Sequence, residues 1–187
     1  MSSWSPEPAP KARLFIALWP DAALRQALVA WHEPCPGRAG AKPVAPEKLH
    51  LTLHFLGNVP RDRLPALRSG LRVPFQPFAL HLSHCQHWPG GLLVVSPDAV
   101  PPALAELHAT LRDALRRLEL RVEERAFRPH VTLVRRHAGP LPAPAAQALS
   151  WHVDSYALVE SAARSGGGYA VLEAFHGTGL ACEQSQH

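Results

Sequence analysis

Two short segments of the chain, His50-Leu51-Thr52-Leu53 and His130-Val131-Thr132-Leu133, are nearly the same sequence set 80 positions apart. Side chains alternate across an extended strand, so each segment turns its His and Thr to one face and its two apolar residues to the other. Set side by side, two such strands present two imidazoles and two hydroxyls to a shared cleft. The pair therefore requires a fold that brings distant strands together with their apolar faces covered. It also constrains the chemistry. Imidazole titrates nearest neutrality, so one ring can act as a base while the other acts as an acid. That equipment suits cleavage of a phosphodiester without a metal.

The residues flanking each copy extend the pattern. In Lys48-Leu49-His50-Leu51-Thr52-Leu53-His54-Phe55-Leu56-Gly57, strict alternation puts His50, Thr52 and His54 on one face. Leu51, Leu53 and Phe55 fall on the other, where they would pack on a helix. His54 is read as a bystander rather than as a second proton carrier or phosphate contact. In Phe127-Arg128-Pro129-His130-Val131-Thr132-Leu133-Val134-Arg135, Arg128 precedes the His by two residues and shares its face if the strand is already extended there. Pro129 favours that, because a proline restricts the residue before it towards extended geometry. Arginine can hold non-bridging phosphate oxygens in a bidentate grip, and threonine hydroxyls can donate to the same oxygens. His50, His130, Thr52, Thr132 and Arg128 together describe a phosphate site.

Elsewhere the pattern alternates strands with helices. Arg13 to Trp19 reads as a strand stopped by Pro20, and Asp21 caps a helix with Leu24, Leu28 and Trp31 on its buried face. Residues 34 to 46 are too rich in Pro and Gly for regular structure. A second helix is expected over Arg61 to Leu71. Phe78, Leu80 and Leu82 alternate as a strand, Pro89-Gly90-Gly91 turns, and Leu92 to Val95 returns. The longest helix should run from Pro102 to Leu118, with Leu104, Leu107, Leu111, Leu115 and Leu118 inward. After the second motif come a weak helical stretch over Ala143 to Leu149, a strand over His152 to Val159, a Gly166-Gly167-Gly168 turn and a closing strand over Tyr169 to Phe175. This recurrence of order argues for an internal duplication.

Composition excludes several classes. At 187 residues with 47% hydrophobic and 18% charged residues, the chain is a folded globular protein of one domain or two small lobes. No apolar run approaches the ~20 residues needed to cross a bilayer. The N-terminus lacks the basic and apolar regions of a secretion signal, so a cytoplasmic location is expected. Cys35, Cys85 and Cys182 include no CxxC pair and are expected as reduced thiols. A net charge of +4 favours a polyanionic partner only weakly. Of the 19 basic residues 16 are Arg, which suits phosphate and equally fits a genomic composition bias. His81, His84, Cys85 and His87 scatter over both faces of a strand, so no metal site is expected. No P-loop pattern occurs, so any joining activity should be independent of ATP. Trp19, Phe55 and Trp88 are read mainly as core aromatics, with base stacking the alternative.

The paired motifs HLTLHFLG and RPHVTLVR resemble the two-histidine phosphoesterase superfamily, and within it the RNA 2′,3′-cyclic phosphodiesterases also called 2′-5′ RNA ligases. The opening RLFIALWP and the late Leu158-Val159-Glu160-Ser161 with Tyr169 extend the likeness over roughly residues 13 to 175. The resemblance implies an α+β, bilobal fold: two antiparallel sheets with flanking helices, related by a pseudo-two-fold about the active-site groove. Residues 13–176 would form this domain, with residues 1–12 and 177–187 as tails. It further implies His130 as the base that takes a proton from water and His50 as the acid that protonates the departing ribose 3′ oxygen, leaving a 2′-phosphate. Thr52, Thr132 and Arg128 would hold the phosphate. No cofactor is implied, and a monomer acting on RNA ends is expected. Small cyclic nucleotides or 2′-5′ oligonucleotides as substrates, and an RNA-binding module without turnover, are the competing readings.

Overall fold

A computed structural model describes residues 10–32, 40–141, 148–161 and 168–178. The chain opens with strand β1 (Lys11–Leu18), two residues earlier than the sequence pattern suggests, followed by helix α1 (Ala22–His32). Asp21 caps that helix as expected, its Oδ1 accepting from the Leu24 N–H at 2.7 Å. The loop after it includes a short strand, β2 (Lys42–Pro43), and a 3₁₀ turn over Pro46–Lys48. Next come β3 (Leu51–Pro60), a 3₁₀ turn and helix α2 (Leu64–Gly70), then the hairpin β4 (Phe78–Trp88) and β5 (Leu92–Pro97). Helix α3 (Pro102–Arg117) buries Leu104, Leu107, Leu111 and Leu115, while Leu118 sits half-buried at its C-cap. The second half ends with β6 (Val131–Arg135), β7 (Leu149–Val153), β8 (Ser155–Ser161) and β9 (Tyr169–His176). The helical stretch expected at 143–149 lies outside the described residues except at its end, where Leu149 begins β7.

All strand pairs are antiparallel, in the order β7-β4-β5-β6-β3-β1-β8-β9, with β2 on β6. Read outward from the middle, each half begins with a motif strand, and a strand-helix-strand unit recurs: β1-α1-β3 in one half and β5-α3-β6 in the other. The family resemblance implies two antiparallel sheets. The two antiparallel halves are present, and one pair, Leu51 with Val131, links them edge to edge. The expected strand over His152 to Val159 is broken at Asp154: β7 pairs with β4 at one edge, and β8 pairs with β1 in the other half. A chain can step between those places in two residues only if the sheet curls until its ends approach. The Asp154 carbonyl accepts from Gly177 N at 2.8 Å, closing the step against the end of β9.

The curl puts the helices on one side and the groove on the other. α1 packs against β6 and β7, and α3 against β3, so each helix crosses to the motif strand or its neighbour. Leu51, Leu53, Val131 and Leu133 are buried in the core those helices cover. Burying a side chain of this kind stabilises the fold by about 1.5–3 kcal/mol. A smaller cluster of Phe15, Ala17, Ala157 and Val159, with Trp19 and Tyr169 against it, lies apart from that core. Among the described residues no helix is long and apolar enough to cross a membrane.

One buried polar group closes the first half. The Tyr156 hydroxyl donates to the Leu71 carbonyl at 2.6 Å and accepts from Val73 N at 3.0 Å, and burial pushes its pKa up to about 12. Tyr156→Phe would strip a partner from both backbone groups. We expect a loss of ~1–3 kcal/mol in urea unfolding, with the fold retained.

Candidate active site

Both motif strands carry a bulge at the same place. Thr52 pairs with Ala17 and His54 with Ile16, which leaves Leu53 as an extra residue; Thr132 pairs with Val94 and Val134 with Leu93, which leaves Leu133. A bulge resets alternation. Leu53 and His54 are both buried, and so are Leu133 and Val134, whereas Phe55 and Arg135 are exposed on the groove side. This corrects the face assignment drawn from strict alternation. His54 is on the helix side, and Phe55 is in the groove. The Leu133 carbonyl accepts from Val44 N at 2.8 Å, extending the register of β2 with β6.

The single pair between the halves fixes the rest. Antiparallel register carried one residue either side of Leu51 and Val131 sets His50 beside Thr132 and Thr52 beside His130. All four line one groove of about 620 Å³, together with Arg135, Lys42 and Lys48. Each His is tied in the same way. His50 Nδ1 donates to the Lys48 carbonyl at 2.7 Å and His130 Nδ1 to the Arg128 carbonyl at 2.8 Å, two residues back in both cases. Fixing Nδ1–H leaves Nε2 as the nitrogen for proton transfer.

Aromatic rings cover the two imidazoles unequally. His50 stacks on Trp19 at 5.5 Å and 12° and meets Phe15 at 5.0 Å and Tyr169 edge-on at 5.3 Å. His130 is covered by Trp88 at 4.2 Å. Burial is the main cause that lowers both pKa values. The backbone hydrogen bonds oppose it, Arg135 and His130 lower His50 further, and Arg128 lowers His130.

Of the five residues the sequence nominates, four line the groove. Arg128 does not: its guanidinium lies 4.7 Å from the Trp88 ring centroid, in a separate cavity. Arg135 takes the place beside the histidines. Its exposure to the groove follows from the bulge, which leaves no mark in residue type, so alternation points it the wrong way. Arg13, with its guanidinium 5.1 Å from the Phe55 ring, also lines the groove. Trp19 and Trp88, read mainly as core aromatics, instead lie against the motif histidines, Trp19 stacked on His50 and Trp88 tilted over His130. His84 pairs with Asp98, and His87 shares a 2.8 Å hydrogen bond with His137. Among the described residues no three His, Cys, Asp or Glu side chains gather as metal ligands.

A curled antiparallel sheet with paired His-Thr motifs across a cationic groove defines a phosphoesterase of the two-histidine type. The family model described as LigT like phosphoesterase matches the chain twice in succession, over residues 18–94 and 94–169, with one motif in each copy. The chain belongs to this family. It is 35% identical over 176 residues to the RNA 2′,3′-cyclic phosphodiesterase of Thermus thermophilus, covering 87% of this chain and 89% of that protein. To the RNA 2′,3′-cyclic phosphodiesterase of Escherichia coli it is 34% identical over 155 residues, covering 79% and 83%. Among solved structures it resembles E. coli LigT complexed with phosphate, with a TM-score of 0.77, 28% identity and coverage of 91% of this chain and 99% of that one.

The two arginines are separable in solution. Arg135→Ala removes a positive charge that disfavours the His50 imidazolium, so the His50 pKa should rise while that of His130 moves less. Arg128→Ala should do the reverse. Titrating the ring Cε1–H signals by NMR checks both directions.

Proposed function

We propose that the protein hydrolyses 2′,3′-cyclic phosphate ends of RNA to 2′-phosphates by paired histidine catalysis that uses no metal. The observation that carries this reading is the common groove: two imidazoles, each with Nδ1 fixed, and two threonines across a one-pair seam. The relatives named RNA 2′,3′-cyclic phosphodiesterase support the substrate class. A groove of about 620 Å³ falls within the range of small-molecule sites and suits a terminal nucleotide.

The chemistry balances on the two Nε2 atoms. Neutral His130 takes a proton from water as the water oxygen bonds to phosphorus. The bond from phosphorus to the ribose 3′ oxygen breaks, and His50 gives its proton to that oxygen. The product carries a 2′-phosphate and a free 3′-hydroxyl. His50 leaves the step neutral and His130 protonated, and exchange with solvent resets them. A lowered pKa suits both roles, keeping the base unprotonated and making the acid a ready donor. Thr52 and Thr132 donate to the non-bridging oxygens, and Arg135 stabilises the charge that builds there. Arg128, expected to hold phosphate, is better placed to orient His130 through its carbonyl and through Trp88. Run backwards, the same carriers join a 2′,3′-cyclic phosphate to a 5′-hydroxyl without ATP. The protein would act as a cytoplasmic monomer.

Hydrolysis of a nucleoside 2′,3′-cyclic phosphate, with the product identified as the 2′ or 3′ monophosphate, tests the proposal. His50→Ala and His130→Ala should each lower kcat by ~10²–10⁴-fold, and single-mutant rates near wild type would overturn the mechanism.

The pH dependence follows from the lowered pKa values. One ring must be neutral and the other charged, so kcat/KM, which reports the free protein, should be bell-shaped with its maximum below the ordinary histidine value of 6.5. A bound phosphate anion favours imidazolium, so the alkaline limb of kcat should lie at higher pH than that of kcat/KM.

A further inference from the structure

The two motif strands share one ladder pair, which cannot by itself fix the distance and angle between two imidazoles. On the helix side of the sheet, three rings lie in a column that joins both motif segments. His54 stacks on His108 of α3 at 4.1 Å and 19°, and His108 stacks on Phe127 at 3.9 Å and 15°. His54 is two residues past Thr52, and Phe127 is three residues before His130. The contacts are bonded as well as stacked. His54 Nε2 donates to the His108 carbonyl at 2.9 Å, so the residue next to the bulged Leu53 is tied to α3. The second bulge needs no such device, since Val44 N takes the Leu133 carbonyl.

We propose that His108 is a positioning residue, which sets the separation of His50 and His130 by holding the first bulge and the approach to the second motif on one helix. The proposal rests on the catalytic reading of those two histidines. His108 lines no part of the groove, so it acts only through the strands. Burial, then the neighbouring His54 and Arg112, bring its pKa down to about 4, which keeps the stacked rings uncharged near neutrality. Phe127 matters because the segment from Leu120 to His130 has no helix or strand of its own to hold it. The same column explains His54. A polar residue there is anchored to α3 rather than offered to substrate.

The test is made on the full chain with His108→Ala, which takes the middle ring out of the column, and His108→Phe, which keeps an aromatic ring there. Three quantities are read: kcat and KM for a nucleoside 2′,3′-cyclic phosphate, the melting temperature, and the His50 and His130 Cε1–H signals. A positioning role lowers kcat of the folded His108→Ala protein on the order of 10- to 100-fold, with KM little changed, and shifts both histidine signals. His108→Phe should lie between it and wild type. A role in stability alone lowers the melting temperature and leaves kcat and the two signals unmoved, which would overturn the proposal. Should His108→Ala unfold, His108→Phe and Phe127→Leu give the same readouts. If wild type does not turn over cyclic phosphate, the functional reading fails by itself, and the histidine signals still decide whether residue 108 positions those rings.

Discussion

The seam between β3 and β6 is the constraint on which the rest of the structure depends. A wide antiparallel sheet ordinarily pairs its middle strands along their length, which would leave no room for a substrate between them. Here pairing stops after Leu51 and Val131, so the strands diverge and the face away from the helices opens into a groove. Because the seam residue follows the His in both motifs, the histidines sit at the point of divergence. The apolar residues of the seam are sealed beneath by α1 and α3, which lets a nearly unpaired junction persist in the middle of a core. A second pair in register would narrow the opening, and its complete loss would let the halves separate.

Electrostatics at this junction run against the net charge of the groove. Lys42, Lys48 and Arg135 make it attractive to a polyanion, yet burial among the aromatics, and Arg135 with it, disfavour protonated His50. Burial, with these neighbouring charges, therefore shifts both imidazoles towards the neutral form. In the proposed reaction a bound phosphate anion would favour imidazolium, so binding and protonation would be coupled, more strongly where aromatic cover over His50 excludes water.

How much could be read in the sequence follows from which features are local. The cap at Asp21, the leucine stripe of α3 and the turn at Pro89-Gly90-Gly91 each depend on neighbours in the chain, and all are found where their patterns place them. The grouping of His50, Thr52, His130 and Thr132 was legible because a repeated motif survives without knowledge of the path between its copies. The bulges were not. Leu53 and Leu133 are ordinary strand residues with no glycine or proline beside them, and the irregularity arises from pairing with β1 and β5. The face assignments of His54, Phe55 and Arg135 all turn on those bulges, whereas the place of Arg128 beside Trp88 and the cover of Trp19 and Trp88 over the histidines are set by contacts between distant segments. The break at Asp154 was hidden for a related reason, since apolar alternation runs through it and only the sheet partners on either side differ.

The step at Asp154 also bears on how the molecule is made. β1 pairs on one edge with β3, some 40 residues on, but its other edge waits for β8, where Leu14 meets Glu160 and Ala17 meets Ala157. During translation the strand that becomes the centre of the first half stands with one edge of unpaired N–H and C=O groups until almost the whole polypeptide has left the ribosome. Contacts so distant in sequence form slowly. Both halves therefore close only near the end of synthesis, and the free edge of the amino-terminal strand is exposed to other nascent chains until then.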